Sequence, residues 1–290
     1  MIYRHAQDWD ETQTKRVLLF GMSGLGKTHL SNMLREGGGW FHYSVDYRIG
    51  TRYMGEHIAD NFKREAMKSP LLRELLMSDS IYVASNITFD NLAPLSTYLG
   101  KPGAAEKGGL DFAEYMKRQD QHRSAEISAL LDTVAFIDRA RDLYGYEHFV
   151  CDTGGSICEV VDPDDPEDPV LSVLSQHLLP VWIEGSDAHT DRLVRRFDKA
   201  PKPMYYQPEF LQSAWAEYLE GHGGDAGQVD RDRFVLWTYA RALAHRQPRY
   251  AAIARNWGVT VSAEDVARVT TPEEFDELIG QAIAARSPQP

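Results

Sequence analysis

Residues 15–28 read KRVLLFGMSGLGKT, and the fold class can be predicted from these residues and their surroundings. Residues 15–20 form a short apolar run led by two basic residues, which is typical of a buried strand, and residues 28–35 have a helical pattern. Residues 21–28 between them match G-x-x-x-x-G-K-[ST]. This pattern binds phosphate when it follows a strand and opens a helix, and both conditions are met. The stretch therefore predicts a nucleotide-binding strand–loop–helix unit.

The residue types in the loop match the chemistry of a bound nucleotide. Glycines allow successive backbone N–H groups to curl around a phosphate, a lysine reaches the β- and γ-phosphates, and a hydroxyl group holds Mg²⁺. We therefore expect ATP and Mg²⁺ as cofactors, with Thr28 as a metal ligand. The expected nucleotide-binding residues are Gly21, Ser23, Gly24, Leu25, Gly26, Lys27, Thr28 and His29.

Further strands follow at intervals along the chain. Gly37 to Gly39 ends the first helix, and residues 40–46 indicate a second strand that finishes on Asp46. Residues 148–152, 179–184 and 258–261 indicate three more. Strands that alternate with helical patterns imply a parallel sheet. The predicted fold class is α/β, a three-layer sandwich of the P-loop NTPase type with helical insertions.

The segments between the strands are read mainly as helices. Residues 56–80 and 111–144 have helical patterns, whereas 91–109, with two prolines and four glycines, indicates a long loop. The pattern predicts a closing helix over 272–285, in which Thr271 caps the first turn and Glu274 completes a capping box.

Composition excludes several classes of protein. The chain has 290 residues, of which 43% are hydrophobic and 26% charged, as in a folded soluble domain. Its net charge of −12 disfavours nucleic acid and anionic membranes as partners. We find no apolar run of the length that a membrane helix needs and no signal-peptide core, so we expect a cytoplasmic protein with reduced thiols at Cys151 and Cys158. The sequence leaves the oligomeric state open.

Two carboxylates stand at predicted strand ends. Parallel strands bring their carboxyl ends to one edge, where phosphoryl transfer needs a carboxylate near the metal and a group that orients the nucleophile. Asp46 and Asp152 fit these roles, and Asp152 has the position of a Walker B aspartate. The alternatives are a strand-end turn residue for Asp46 and a structural cap for the following glycine turn for Asp152.

Several blocks resemble the shikimate kinase family. The family's Asp-x-Asp-x-x-Ile-Glu segment resembles residues 44–50, which keep Asp46 and Ile49 but have Ser44 and Gly50 at the two other positions. Its Phe-Arg pair resembles Phe62-Lys63, and its glycine-rich turn resembles residues 153–156. Its lid arginines resemble Arg195-Arg196 with Lys202-Pro203. Its Arg-x-Pro-Leu-Tyr segment resembles residues 246–250, and the start of its final helix resembles residues 269–274.

The resemblance implies a role for each matching residue. Asp46 would orient or deprotonate an acceptor hydroxyl group, and Lys202 and Arg195 would close over the phosphates. Asp152 would join Thr28 at the metal, and Lys27 would act on the transferred phosphoryl group. The residues that would hold the acceptor are Asp46, Lys63, Gly154, Gly155 and Arg246. For each basic residue other than Lys27, a solvated surface charge is the alternative.

The sequence thus predicts an ATP-dependent kinase that phosphorylates a hydroxyl group of a small, anionic metabolite. The alternative is a regulatory or switch-type ATPase that binds a protein partner. We expect one domain over 1–290, with an insertion at 67–124 and a lid-like region at 191–230. A second, smaller insertion relative to the compact family is expected at about 207–228.

Overall fold

The computed structural model describes residues 2–286, so Met1 and residues 287–290, which the expected single domain includes, lie outside the described part of the chain. Within the described part the chain forms two compact units. The first comprises residues 2–45, 130–200 and 237–286, and the second comprises 46–129 and 201–236. The predicted insertion 67–124 belongs to the second unit, and the predicted lid-like region 191–230 is divided at residue 200.

The first unit contains one parallel sheet. Its strands are β1 (Arg16–Phe20), β2 (Trp40–Ser44), β3 (His148–Asp152), β4 (Leu179–Glu184) and β5 (Val259–Ser262). They lie in the order β2-β3-β1-β4-β5, and every neighbouring pair is parallel. Four of the five residues in β1 and in β3 are buried, as expected for strands covered on both faces.

Helices occupy most of the remaining chain. In the described residues they are α1 (Ala6–Glu11), α2 (Lys27–Gly37), α3 (Val45–Arg48), α4 (Gly55–Ala66), α5 (Pro70–Met77), α6 (Ala93–Leu99), α7 (Phe112–Leu131), α8 (Thr133–Tyr144), α9 (Ile157–Val160), α10 (Pro169–His177), α11 (Asp187–Lys199), α12 (Pro208–Gly221), α13 (Arg231–Trp257), α14 (Ala263–Val266) and α15 (Pro272–Ala285). Short 3₁₀ or π turns cover Ile49–Tyr53, Ala105–Lys107 and Ala226–Gln228.

Helices cover both faces of the sheet. α2 and α15 pack together on one face, and α8 and α10 pack together on the other. The predicted three-layer α/β fold of the P-loop kinase-like class is therefore confirmed. None of the helices in the described range is long and apolar enough to cross a membrane.

The second predicted strand is too long. β2 ends at Ser44, and Asp46 lies in the short helix α3. Ser44 pairs with Asp152, which is the last residue of β3. Because β3 ends there, the following residue of the second strand has no partner, and the chain turns into a helix. Asp46 is therefore a helical residue that follows the strand rather than its final residue.

Two other segments also differ from the prediction. The predicted loop 91–109 contains α6, which is compatible with Pro94 because proline is tolerated in the first turn of a helix. The helical pattern over 56–80 forms two helices, and Pro70 begins the second. The closing helix has the predicted bounds and its Thr271 cap, but the Glu274 carboxylate accepts from Thr270 rather than completing the box with Thr271.

Candidate nucleotide-binding site

The loop between β1 and α2 requires glycine at two positions. Gly21 has a φ of +135°, and a Cβ placed on it would lie 2.6 Å from the carbonyl oxygen of Ile183. Gly26 has a φ of +103°, and its Cβ would lie 2.9 Å from the side chain of Val266. Both conformations are strained for residues with a side chain. The loop therefore keeps its backbone close to β4 and α14, with no room for larger residues.

Lys27 holds its side chain over the loop. Its ammonium group donates to the carbonyl oxygens of Gly21 and Met22, each at 2.8 Å. The side chain is buried with the loop, and only 7% of the residue is exposed. These two hydrogen bonds offset part of the cost of burying the charge. The result is a positive charge fixed in place at the loop.

The amino end of α2 faces the same loop. Gly26 is the residue before the helix. The first intrahelical hydrogen bond runs from the N–H of Leu30 to the carbonyl oxygen of Gly26 at 2.9 Å. The N–H groups of Thr28 and His29 precede this bond and have no acceptor within the helix. N–H donors at a helix terminus, together with a fixed lysine beside it, favour the binding of an anion at this end of α2. Ser23 and Gly24 are exposed, whereas Leu25 is buried.

A hydroxyl group and a carboxylate meet beside the loop. Thr28 donates from its hydroxyl group to Asp152 Oδ2 at 2.9 Å, and Asp152 is the last residue of β3. Burial raises the pKa of Asp152, while the charge of Lys27 and the hydrogen bond from Thr28 act in the opposite direction. Two hard oxygen donors of this kind suit Mg²⁺. The two predicted metal ligands therefore do lie together.

Ser44 stands directly opposite Asp152 in the pairing of β2 with β3. This is the position of the first aspartate in the family segment that residues 44–50 resemble. The neighbouring carboxyl ends of the two strands thus present one carboxylate and one hydroxyl group.

His42 is a functional-site neighbour that the sequence did not indicate. Its Nε2 atom lies 3.9 Å from Asp152 Oδ2. Burial, with a smaller contribution from Arg35, lowers the pKa of His42 to about 4. The imidazole is therefore neutral at pH 7, and the contact is not an ion pair under these conditions.

The predicted acceptor residues of the first unit also lie together. Arg246 is buried on α13 and forms an ion pair with Glu159. Burial lowers the pKa of Arg246, but Glu159, Tyr250 and Cys158 together raise it well above its ordinary value. A Cβ on Gly155 would lie 3.6 Å from Arg246 Nη1, and the hydroxyl group of Tyr250 donates to the Gly155 carbonyl oxygen. Gly154, which follows β3 in the same turn, is buried.

Arg196, which follows the predicted lid residue Arg195 on α11, lies close to the glycine loop. Arg195 is exposed, and its predicted role remains a prediction. Arg196 has its guanidinium group 3.8 Å from the position of a Cβ on Gly24. The two buried residues Leu193 and Phe197 fix which side of the helix faces inward. Arg196 therefore adds a second cation beside the glycine loop.

The remaining predicted residues belong to the second unit. Asp46 is half-buried on α3. Lys63 lies on α4 and pairs with Asp60 at 3.3 Å on an exposed surface. Lys202 is exposed in the segment before α12 and lines a cleft of its own unit. The predicted roles of these three residues remain predictions.

Comparison with known proteins gives no family assignment. No protein-family model and no curated protein sequence matches the chain. A crystal structure of shikimate kinase from Bacteroides thetaiotaomicron matches 92% of this chain and 96% of its own, with 14% sequence identity and a TM-score of 0.38. A likeness at this level assigns neither a family nor an activity.

A methyl group on Gly21 should be poorly tolerated. We expect Gly21→Ala to lower the free energy of unfolding by about 2 kcal/mol, because it combines a positive φ with a clash against Ile183. Urea denaturation measures this loss. Gly38→Ala is the matched control, since its φ of +87° is also positive but its Cβ would meet nothing within 4 Å. Equal losses in the two variants would show that the close approach is not a constraint.

His42 should make the fold sensitive to acid. Its pKa is about 4 in the folded chain against an ordinary 6.5, so the unfolded chain takes up the proton first as the pH falls. Stability is therefore lost between pH 6.5 and about 4, by about 3 kcal/mol when complete. His42→Asn should remove this share of the pH dependence in urea titrations, and the exposed His29→Asn should not. An unchanged pH dependence in His42→Asn would contradict the assignment.

Proposed function

We propose that this chain is an ATP-dependent phosphotransferase that phosphorylates a hydroxyl group of a small, anionic metabolite. The observation that carries the proposal is the hydrogen bond between Thr28 and Asp152 at 2.9 Å, beside a glycine loop that holds a buried lysine. This arrangement joins a phosphate-binding loop to a metal-binding oxygen pair. It suits ATP–Mg²⁺ better than a phosphate group alone.

The residues of the first unit fit ATP–Mg²⁺ in kind. The bound nucleotide would supply the phosphoryl group, and the metal would neutralise developing charge on it. In this proposal the backbone N–H groups of the loop and of the α2 terminus bind phosphate oxygens. Thr28 and Asp152 hold the metal, and Lys27 stabilises the negative charge of the transferred group. Arg196 adds positive charge at Gly24.

The acceptor side of the proposal follows the sequence resemblance. Asp46 would orient or deprotonate the acceptor hydroxyl group, and Arg195 and Lys202 would close over the phosphates. Lys63, Gly154, Gly155 and Arg246 would bind the acceptor. Because Glu159 already neutralises Arg246, this arginine would contribute directed N–H donors rather than an uncompensated charge.

A regulatory ATPase is the second candidate, and one observation favours it. Helix α5 in the second unit has no buried residue. Leu71 and Met77 on this helix, and Tyr82 after it, are 64%, 74% and 88% exposed. Large apolar side chains that are this exposed are typical of a surface that binds another protein. In this candidate, nucleotide binding would control a partner instead of a metabolite.

The kinase proposal predicts ATP consumption that depends on an acceptor. We would measure ADP formation with Mg²⁺, alone and with a panel of hydroxylated carboxylic acids, sugars and nucleosides. Turnover should rise with one compound class and fall by about 10²-fold or more in Lys27→Ala, because the variant lacks the cation that stabilises the transferred group. The exposed Lys199→Ala is the matched control and should keep wild-type turnover.

Asp46→Asn separates the two candidates in the same assay. The kinase proposal expects it to abolish phosphoryl transfer while ATP binding is kept, because an amide cannot accept the proton of the acceptor. Slow turnover that ignores every compound, and that persists in Asp46→Asn, would contradict the kinase proposal and favour the regulatory ATPase.

A further inference from the structure

The second unit contains a cleft of its own. Its volume is about 730 Å³, and every residue that lines it belongs to residues 46–129 or 201–236. Small-molecule sites in proteins are commonly about 300–1,000 Å³ in volume. The wall includes turns at Gly100 and Gly108. Ten of the sixteen lining residues have polar or charged side chains, and residues such as Leu92 and Leu110 add apolar wall. The cleft is therefore large enough for a metabolite.

The charge of the cleft differs in sign from that of the whole chain. Four of its side chains are cationic, namely Lys101, Arg118, Lys202 and Arg231, whereas two are acidic, namely Glu65 and Asp90. The complete chain carries a net charge of −12. A cationic pocket in an acidic protein concentrates anions locally.

Two of the four cations serve the structure of the unit. Arg118 is buried and donates to Glu114 at 2.9 Å and to the carbonyl oxygen of Tyr98 at 2.6 Å. Lys101 donates to Asp232 at 2.5 Å and to the carbonyl oxygen of Pro201 at 2.6 Å. These hydrogen bonds tie the wall together and leave both cations with an acidic partner.

The other two cations have uncompensated charges. Arg231 donates from Nη1 to the carbonyl oxygen of Gly108 at 2.5 Å, which fixes its guanidinium group at the wall. Lys202 is exposed. Within the described residues, neither Arg231 nor Lys202 has a carboxylate within 4 Å. An anionic group in the cleft therefore has two cations available to pair with.

The remaining polar groups suit hydroxyl groups. Glu65 is already paired with Lys68 at 2.7 Å, so its charge is compensated. Asp90 is exposed and can accept hydrogen bonds, and Ser96 and Thr97 on α6 carry hydroxyl groups at the wall. A ligand that has both an anionic group and hydroxyl groups matches this distribution.

We propose that the cleft binds a hydroxylated small molecule with one phosphate or carboxylate group, which pairs with Lys202 and Arg231. Phosphate and carboxylate share this chemistry, because both present oxygen acceptors to a guanidinium or ammonium group. The proposal uses no residue of the phosphate-binding loop. It shares only Lys202 with the proposed phosphotransfer, so binding measured without nucleotide tests it separately.

The test is calorimetric binding without nucleotide, at low salt, with three probes. Glucose 6-phosphate carries a phosphate, gluconate carries a carboxylate, and glucose is the neutral control. At least one anion should bind with an affinity 10-fold or more above that of glucose, and the stronger anion identifies the preferred group. Added salt should weaken this binding. Absence of binding by both anions, or equal binding of glucose, would overturn the proposal.

Matched variants locate the binding in the cleft. Lys202→Gln and Arg231→Gln should each weaken the stronger anion by about 10-fold or more. Lys117→Gln and Arg233→Gln remove exposed cations of the same unit outside the cleft and should change nothing. If Arg231→Gln fails to fold, the exposed Lys202→Gln decides the question.

Lys27→Ala should bind the anion as the wild type does, which separates this site from the nucleotide site. Equal weakening in the control variants, or loss of anion binding in Lys27→Ala, would overturn the assignment to the cleft.

Discussion

The pairing of β1 with β3 is the constraint on which the candidate site depends. In this parallel register Leu19 stands opposite Asp152, so the end of β3 lies beside β1 just before the glycine loop begins. Thr28, in the first turn of α2, then reaches the carboxylate at 2.9 Å. A shift of one residue would turn Asp152 to the other face of the sheet and remove this contact. The geometry of the proposed metal-binding pair is therefore set by the sheet rather than by the loop alone.

Buried charge is the second theme of the first unit. Lys27 is held by two carbonyl oxygens, Asp152 by a hydroxyl group, and Arg246 by Glu159. Each partner offsets a desolvation cost that an isolated buried charge would incur. His42 avoids the cost by staying neutral at pH 7. Groups fixed in this way need little rearrangement when a charged ligand binds, which is a general requirement for electrostatic catalysis.

Much of the sheet could be predicted from the sequence because its strands are apolar runs with clear ends. β3, β4 and the closing helix have their predicted bounds, and the loop lies between β1 and α2 as expected. The end of β2 could not be predicted, because it depends on where the partner strand ends. Helix α6 was missed because Pro94 and the nearby glycines indicate a loop unless the buried residues Leu95, Tyr98 and Leu99 are given more weight.

The candidate site was predicted only in part for a similar reason. The motif predicts Lys27 and Thr28, and the strand end points to Asp152; the structure brings these three side chains together, and their roles stay predictions. His42 lies in the middle of a strand and acquires its position only through the neighbouring strand, so local sequence gave no sign of it. On α11 the apolar spacing of Leu193 and Phe197 was the available signal that Arg196, beside the predicted Arg195, approaches the loop. The division into two units joins distant segments, and no change in composition marks its boundaries.

Whether the loop and Asp152 bind ATP together with a metal can be measured by calorimetric titration of the chain with ATP, in Mg²⁺ and again in EDTA. We expect binding in Mg²⁺, at least 10-fold weaker binding in EDTA, and a much smaller effect of the metal in Asp152→Asn, because the variant lacks the carboxylate proposed to hold it. Absence of ATP binding in Mg²⁺, or binding that is indifferent to both the metal and Asp152→Asn, would contradict this expectation.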